Sequence, residues 1–532
     1  MPGGRLPCRS ATPRQGKPGL SRAGTTRRRR YHRTRPCRVR CGHGASGPLH
    51  LRRNRTESAT RSFVPPGGDP VRTHRSGWRS SLGQGCSKLR NADNLDRAPG
   101  ADVVMHILIL AYEFPPVTFG GAGTYLAQLA QGLESADLRL TIVVGGGDRR
   151  DSIIEANRQV HFLRPAVDEL SLGFEYFGLL SDTTADEVVR RCESEWGIPD
   201  LIHCNNWFTY RSGERLRDCW GVPIVATVHS LEHLFTPRWG CDTLAYIAEL
   251  ERDMCSRSDL LIAVSASVED DVRTVCADAK IAVIHNGAQP LPQPDAAAIA
   301  EVAAMLAPAG GDEVGTGKRK IVAFAGRLVP QKGLRYLLRA FQLIGTERED
   351  IVLVVAGDGT DLHPHALRYV AERDPVLATS TRFIGKLSRP QLHALYERSA
   401  VAVVPSLYEP FGYAAIEAMA AGVPVVCSRM GGLAEIIEHD RSGALVDVSF
   451  DACGFARIDP RVLADAIVEL VDDQERAMRY RESGRTRAAE FSGARMAEHT
   501  LRAYRSAAQQ TAESVQARRQ QNAAVVASSD AR

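Results

Sequence analysis

The sequence lacks several features that would indicate a membrane or metal-dependent protein. No run of about 18 uninterrupted apolar residues occurs in its 532 residues, so it predicts no membrane span. It contains no D-x-D triplet, the usual carboxylate clamp for a metal-bound diphosphate. The eight cysteines beyond residue 104 are scattered and include no C-x-x-C pair. This spacing favours buried free thiols over a disulfide framework or a zinc site.

Acidic residues are scarce in residues 1–104, which hold 23 Lys and Arg but only 5 Asp and Glu, a net charge of +18. The other 428 residues hold 44 basic and 57 acidic residues, a net charge of −13. The basic segment has no hydrophobic periodicity, so we expect a disordered extension. Because a strand pattern begins at Met105, we favour a translation start there over an organelle transit peptide.

The basic extension has no apolar core of the kind that a secretory signal needs, so we expect a cytoplasmic protein. A run of charge such as Arg27–Arg30 is more often a solvated segment than a contact with nucleic acid. We therefore expect no specific nucleic acid as a partner. Peripheral contact with a membrane surface stays open as an alternative.

Beyond Met105, short β-branched runs alternate with longer amphipathic stretches, which predicts an α/β fold with parallel sheets. This alternation of strand and helix patterns stops in a Pro-, Ala- and Gly-rich segment at 288–319 and resumes after it. We therefore predict two Rossmann-like, doubly wound domains, at residues 105–290 and 318–490. Ligands bind at the carboxyl ends of strands in such sheets, so two facing domains predict a site in the cleft.

The segment 405–417, P-S-L-Y-E-P-F-G-Y-A-A-I-E, follows a predicted buried strand. Glu409 lies in its loop, Gly412 permits close approach of the backbone to a ligand, and a helix that carries Glu417 begins near Tyr413. The first N–H groups of that helix favour an anion. Carboxylates accept strong hydrogen bonds from sugar hydroxyls, although an isolated pair with this spacing is more often a simple helix start.

Candidate residues also follow three other predicted strands. Arg327 and Lys332 lie after one strand, where two cations can neutralise a diphosphate leaving group. Gly120 and Gly121 lie in a Gly-rich turn between a strand and a helix, which is weak evidence by itself. His229 ends another strand, where it can donate to a substrate hydroxyl, stabilise charge or serve a purely structural role.

Together these segments resemble family 4 of the glycosyltransferases, which have the GT-B fold, over residues 105–505. The segments that carry the resemblance are E-F-P-P…G-G-A-G, the strand-end His, G-R-L-x-x-Q-K-G-L, P-S-x-Y-E-P-F-G-x-x-x-I-E-A-M-A-A-G-x-P-V-V and G-G-L-A-E-I-I. The first and fourth look most like the bacterial glycogen-synthase-like branch. The resemblance also implies that residues 491–510 form a helix that packs back on the first domain, with a tail at 511–532.

The resemblance implies a role for each matching residue. Arg327 and Lys332 are implied to bind the donor diphosphate, and Glu417 the ribose hydroxyls. Glu409 is implied to contact the transferred sugar, with the backbone of Phe411 and Gly412 around it and His229 at its 6-hydroxyl. Gly120 and Gly121 are implied to form the phosphate loop of the first domain. It implies no metal ligand and no cofactor, because the nucleotide-diphosphate sugar is a co-substrate.

The implied activity is a retaining, metal-independent transfer of a hexosyl group from a nucleotide-diphosphate sugar to a hydroxyl of a glycan, lipid or small molecule. The sequence offers no convincing enzyme nucleophile, so we expect Glu409 to position and stabilise rather than to form a covalent intermediate. Two alternatives stay open. One is a sugar-nucleotide epimerase of the same fold, and the other is a non-catalytic sugar-nucleotide-binding protein. The acceptor and the nucleotide base are not specified.

Overall fold

The computed structural model describes most of the chain beyond Val104. The predicted basic extension, residues 1–104, lies outside the described residues except for its last one. The described ranges are 104–116, 120–146, 149–163, 184–235, 244–307, 319–359, 362–451 and 454–530.

Eight strands of the described residues form one sheet in the order β3-β4-β2-β1-β5-β6-β7-β8. All neighbours pair in parallel except β3 and β4. Ile107 and Ile109 pack on one face of the sheet and Leu108 and Leu110 on the other, because successive side chains of a strand alternate. The strands are β1 (Met105–Ala111), β2 (Leu138–Val144), β3 (Ser152–Ile154), β4 (Arg158–Phe162), β5 (Leu201–Asn205), β6 (Ile224–Val228), β7 (Leu260–Ala263) and β8 (Ile281–Val283).

Helices connect these strands, as parallel pairing requires. A helix at 184–191 continues into a π-helix at Cys192–Trp196. The labelled helices are α1 (Gly121–Gly132), α2 (Trp207–Trp220), α3 (Glu232–Phe235), α4 (Leu244–Arg257) and α5 (Ala266–Val275). The short strands β3 and β4 were not predicted from the sequence, because polar side chains interrupt their apolar pattern.

Six further strands form a second, entirely parallel sheet in the order β11-β10-β9-β12-β13-β14. Val322 and Phe324 pack on one face and Ile321 and Ala323 on the other. The strands are β9 (Lys320–Ala325), β10 (Ile351–Ala356), β11 (Thr381–Gly385), β12 (Ser399–Val404), β13 (Val425–Ser428) and β14 (Ala444–Val446). A separate antiparallel pair, β15 (Val448–Phe450) and β16 (Ala456–Ile458), follows them.

The remaining helices surround the second sheet and close the chain. The first of them, α6, packs against α10. They are α6 (Ala296–Leu306), α7 (Leu334–Glu347), α8 (Leu362–Arg373), α9 (Pro375–Ser380), α10 (Arg389–Glu397), α11 (Tyr413–Ala420), α12 (Leu433–Ile436), α13 (Pro460–Asp472), α14 (Gln474–Ala489) and α15 (Gly493–Asp530).

The strands confirm the predicted α/β fold of two doubly wound sheets, and the predicted site residues follow the carboxyl ends of β1, β6, β9 and β12. All strands of the first sheet lie within residues 105–290, and those of the second within 318–490. The exact domain boundaries stay predictions. None of the helices that the structure describes combines the length and apolar character that a bilayer crossing requires.

Helix α15 returns from the second sheet and packs against α1 of the first. The hydroxyl of Tyr504 lies 2.6 Å from Nδ1 of His203, and Nε2 of His203 lies 2.8 Å from Oγ1 of Thr227. The hydroxyl of Tyr125 lies 3.0 Å from the same Thr227 oxygen. These buried contacts join α15 to β5, β6 and α1, so the last helix is part of the first sheet's core.

Two features near the helices differ from expectation. Helix α15 continues to Asp530, whereas the sequence predicts a tail at 511–532. The Ala, Gln, Glu and Arg residues of this region are good helix formers, which accounts for the difference.

Cys219 is disulfide-bonded, contrary to the expectation of free thiols, because sequence spacing does not reveal pairs brought together by folding. The free cysteines among the described residues are Cys192, Cys204, Cys255, Cys276 and Cys427.

Replacing Tyr504 with Phe removes the hydroxyl that contacts His203 and leaves a buried imidazole nitrogen without that partner. We expect the free energy of unfolding to fall by about 1–3 kcal/mol, the usual cost of an unsatisfied buried polar group. Urea denaturation followed by circular dichroism measures this change. Tyr369→Phe is the control, since Tyr369 is 56% exposed and its loss of a hydroxyl should change stability little. Equal stability of the two variants would contradict the role of the contact.

Candidate active site

The segment after β12 brings a carboxylate to the start of a helix. The strand ends at Val404, and α11 begins at Tyr413 after Gly412. Gly412 has φ +130°, a value that favours glycine, and a Cβ there would lie 2.9 Å from Cδ2 of Leu433. Glu409, in the loop between them, is only 7% exposed. The backbone of this loop is thus fixed tightly enough to hold a buried carboxylate beside a helix N-terminus.

Glu409 has two side-chain partners that the fold brings to it. Nζ of Lys332 donates to Oε2 of Glu409 at 2.7 Å, and Oγ of Ser406 donates to the same oxygen at 2.9 Å. Lys332 ends a short 3₁₀ helix that begins at Pro330, after β9. The structure therefore brings together two of the predicted site residues, and it adds Ser406 as a residue without a predicted role, although it belongs to the P-S-x-Y-E segment.

Two glycines enclose the main chain of Glu409. The N–H of Gly432 donates to the carbonyl of Glu409 at 2.9 Å. Gly431 has φ +54°, and a Cβ at this position would lie 2.1 Å from the carbonyl oxygen of Glu409. Only a glycine allows this close approach, so the G-G-L-A-E-I-I segment helps to fix the position of Glu409.

Arg327 lies at the carboxyl end of β9, five residues before Lys332. Its side chain is exposed, and it has no ion-pair partner within the described part of the chain. Since Lys332 already contacts Glu409, Arg327 is a cation at this edge whose guanidinium stays available to a phosphate. The structure does not bring Arg327 into contact with Glu409.

Glu417 lies on α11 and contacts an arginine that the sequence did not single out. Nη1 of Arg389 donates to Oε1 of Glu417 at 2.9 Å. Nη2 of Arg389 donates to the carbonyl of Gln289 at 2.9 Å, in the segment that joins the two sheets. Burial raises the pKa of Glu417 above its ordinary value, and Arg389 opposes that rise. Oε2 of Glu417 is the oxygen left for the predicted contact with a ribose.

The ring of Phe411 packs in an aromatic cluster rather than in the open cleft. Its centroid lies 5.2 Å from that of Tyr413, 5.9 Å from that of Phe491 and 6.3 Å from that of His285. Phe411 is only 3% exposed. Its side chain therefore supports the start of α11, and its main chain is the part that can face a ligand.

The glycines of the first sheet's loop lie opposite α11. Gly120 caps α1, and its N–H donates to Oε2 of Glu113 at 2.9 Å. A Cβ on Gly121 would lie 3.5 Å from the ring of Tyr413, the first residue of α11. The N-termini of α1 and α11 thus meet across the cleft, and both carry the partial positive charge that favours phosphate. Glu113, which had no predicted role, accepts one of these N–H groups.

His229 follows β6 and lies half-buried in the first domain. Its Nε2–H donates to Oδ1 of Asn205 at 2.7 Å, and its ring meets the ring of Tyr125 edge-on at 4.8 Å. Burial lowers the pKa of His229 from 6.5 to about 4. The ring is therefore neutral at pH 7, with Nδ1 as an acceptor. It can take part in hydrogen bonds but cannot stabilise developing negative charge as a cation. Asn205 had no predicted role, although it too ends a strand.

No group of three or more His, Cys, Asp or Glu side chains in the described ranges is placed to hold a metal ion. The positive charge at the cleft comes from Arg327, Lys332 and the two helix N-termini. Such a set can neutralise a diphosphate by fixed charges and dipoles.

Two family models match the chain, and each covers most of the residues that form one of the two sheets. Glycosyltransferase Family 4 matches residues 119–290, and Glycosyl transferases group 1 matches residues 312–487. Alpha-maltose-1-phosphate synthase of Mycolicibacterium smegmatis is 31% identical over 420 residues, which are 75% of this chain and 99% of that protein. The chain belongs to glycosyltransferase family 4.

Other relatives agree with this membership. Glycogen synthase of Mycobacterium tuberculosis is 28% identical to this glycosyltransferase over 400 residues, 72% of this chain and 90% of that protein. Sucrose-phosphate synthase from Thermosynechococcus elongatus has a TM-score of 0.61 at 23% identity, covering 76% of this chain and 98% of that one. These similarities confirm the predicted GT-B fold and an enzyme that is a glycosyltransferase. They decide against the epimerase and the non-catalytic binding protein.

Replacing Gly431 of this glycosyltransferase with Ala places a Cβ against the carbonyl oxygen of Glu409. We expect the displaced loop to lower turnover by at least about tenfold, because small misplacements of catalytic groups are costly. Gly221→Ala is the matched control, since Gly221 also has a positive φ, of +73°, but has open space around its Cβ position. The initial rate of nucleotide release measures the effect. Equal losses in both variants would show that backbone strain, and not the clash, is responsible.

Acid should destabilise the first domain through its buried histidines. Burial lowers the pKa of His106, His161 and His229 from 6.5 to about 4 and that of His203 to about 3. The unfolded chain therefore binds more protons below pH 6.5, and stability must fall as pH falls. Between pH 7 and 5.5 we expect a loss of about 1 kcal/mol per histidine, measured by urea denaturation. Constant stability over this range, which lies above the ordinary titration of carboxylates, would contradict the burial of these rings.

Proposed function

We propose that this glycosyltransferase moves a hexosyl group from a nucleotide-diphosphate sugar to a hydroxyl of a carbohydrate, with retention of configuration and without a metal ion or cofactor. The observation that carries the proposal is the Lys332–Glu409 contact of 2.7 Å beside the N-terminus of α11. It combines a cation, a buried carboxylate and a helix dipole at the carboxyl ends of two neighbouring parallel strands, β9 and β12.

A nucleotide-sugar donor fits the distribution of charge at the cleft. The N-termini of α1 and α11, which meet where Gly121 faces Tyr413, favour the diphosphate. Arg327 supplies a guanidinium that has no ion-pair partner among the described residues. A structural neighbour, Anabaena HepE, is solved in complex with UDP-glucose, with a TM-score of 0.54 at 21% identity, covering 78% of this chain and 100% of that one. This neighbour supports the class of donor, while the base stays open.

The positions of the two carboxylates suit the two ends of such a donor. Glu409 precedes α11 and Glu417 lies on it, so that the diphosphate at the helix N-terminus would have a carboxylate on either side. Oε1 of Glu409 can accept hydrogen bonds from hydroxyls of the transferred sugar. Oε2 of Glu417 can accept them from the ribose while Arg389 holds the other oxygen.

Retention follows in this proposal from reaction on one face of the sugar. The bond from the anomeric carbon to the diphosphate oxygen breaks, and a bond to the acceptor oxygen forms on the same face. The acceptor's proton passes to the departing phosphate, whose charge Arg327, Lys332 and the helix N-termini neutralise. Glu409 positions the sugar, because both contacts to its Oε2 hold the carboxylate in place.

A carbohydrate acceptor is supported by the names of the similar proteins. Glycogen synthase and alpha-maltose-1-phosphate synthase both denote enzymes that make a product in which one sugar is joined to another. The neutral imidazole of His229 follows β6, at the edge of the sheet where ligands bind in such folds. Its Nδ1 can accept a hydrogen bond from a sugar hydroxyl without adding charge.

Substituting Arg327, Lys332 or Glu409 with Ala should lower turnover about 100- to 1000-fold, the usual effect of removing one well-placed charge stabiliser. Nucleotide release from UDP-, ADP-, GDP- and TDP-sugars measures turnover and identifies the donor. In the same samples, a donor at 100 times its dissociation constant should stabilise the protein by about 2.7 kcal/mol. Lys280→Ala is the control for a surface cation, since Nζ of Lys280 contacts Oε1 of Gln510 and Lys280 lies outside the predicted site.

Two outcomes would contradict parts of this proposal. Near-normal turnover in all three variants would end the assignment of the site. A stable glycosyl–Glu409 adduct, detected by mass spectrometry after mixing donor and enzyme, would replace the front-face reaction with a covalent intermediate.

A further inference from the structure

A cavity of about 510 Å³ lies at the far end of α11 from the donor site. Its walls come from the connecting segment 290–293, the second half of α10, the end of α11 and helix α14. At 1.5 Å per residue, the eight-residue helix α11 separates this cavity from Gly412 by about 12 Å. The volume lies in the range of small-molecule sites, and the cavity is distinct from the cleft.

Two arginines of α14 line this cavity. Arg481 and Arg485 lie four residues apart, on the same face of the helix, where like charges destabilise it. Arg481 is half-buried, and neither guanidinium has an ion-pair or hydrogen-bond partner in the described part of the chain. Burial lowers the pKa of Arg481, and the charge of Arg485 lowers it further. Elsewhere on α14, Arg476 contacts Asp440 and Arg487 contacts Glu490.

The groups around the cavity stabilise the positive charge of at most one of these two arginines. Gly422 has φ +78°, and a Cβ there would lie 2.2 Å from Nη2 of Arg485. The guanidinium of Arg485 thus lies over the C-terminal end of α11, where the helix dipole favours a cation. Arg481 gains no such partner. The one carboxylate of the lining, Glu397, lies 3.9 Å from Nε2 of His393, so the cavity keeps a positive excess.

We propose that this cavity binds a small phosphorylated sugar, with the phosphate held between Arg481 and Arg485. Two guanidinium groups offer the planar, forked donors that match a phosphate. The remaining volume, bounded by the segment 290–293 and by α10, has room for a sugar ring. An anion bound between the two arginines would offset the repulsion between their like charges.

The test is calorimetric titration of the full chain with glucose 6-phosphate, with glucose and inorganic phosphate as comparison ligands. We expect glucose 6-phosphate to bind, inorganic phosphate to bind more weakly and glucose not to bind. In the double variant R481Q/R485Q, the dissociation constant for glucose 6-phosphate should rise by about 10- to 100-fold for each lost charge-assisted contact. Arg479→Gln is the matched control on the same helix, because Arg479 is exposed and does not line the cavity.

Two further variants separate this site from the cleft and from effects on folding. Lys332→Ala alters the donor site and should leave the affinity for glucose 6-phosphate unchanged. R481K/R485K keeps both charges but loses the fork geometry, so its affinity should fall between those of the wild type and the double Gln variant. Equal binding by wild type and R481Q/R485Q would overturn the proposal. So would loss of binding in Lys332→Ala, or no binding to a folded wild-type protein.

Discussion

The contact between Lys332 and Glu409 joins the loops that follow two neighbouring strands, β9 and β12. Parallel pairing of these strands places both loops at one edge of the sheet. Gly333 allows their close approach, because a Cβ there would lie 1.8 Å from the carbonyl oxygen of Pro405. A carboxylate that folding removes from water needs such a partner, since an unpaired buried charge costs several kcal/mol. The contact thus holds the carboxylate of Glu409 beside the N-terminus of α11.

The strands and the main site segments were predictable from the sequence because their signals are local. A buried parallel strand is a short apolar run, and the segment 405–417 joins such a run to a helix start. The partners that folding brings from elsewhere were not predictable. Arg389 reaches Glu417 from 28 positions away, and Asn205 reaches His229 from 24. No pattern in a single sequence connects residues at these separations.

The two sheets are joined by contacts that bridge the cleft. Oε1 and Oε2 of Glu435, on α12, accept hydrogen bonds from the N–H groups of Ser267 and Ala266 at the start of α5, at 2.9 and 3.0 Å. Nε2 of His285 lies 2.8 Å from Oε2 of Glu435. Glu435 thus stabilises the N-terminus of a helix in the opposite domain. Since α12 also follows the glycines that enclose Glu409, a relative movement of the domains would act on both the bridge and the site.

The charge of the site is divided unequally between the domains. The second domain supplies Arg327, Lys332 and both acidic side chains predicted to contact the donor. The first domain supplies a helix N-terminus and His229, whose ring is neutral at pH 7 because burial lowers its pKa to about 4. In the proposed reaction, the cations of the second domain would hold the charged donor, and the neutral imidazole of His229 would contact a sugar hydroxyl without adding charge. This division fits the proposed reaction, in which the phosphate leaves toward the second domain.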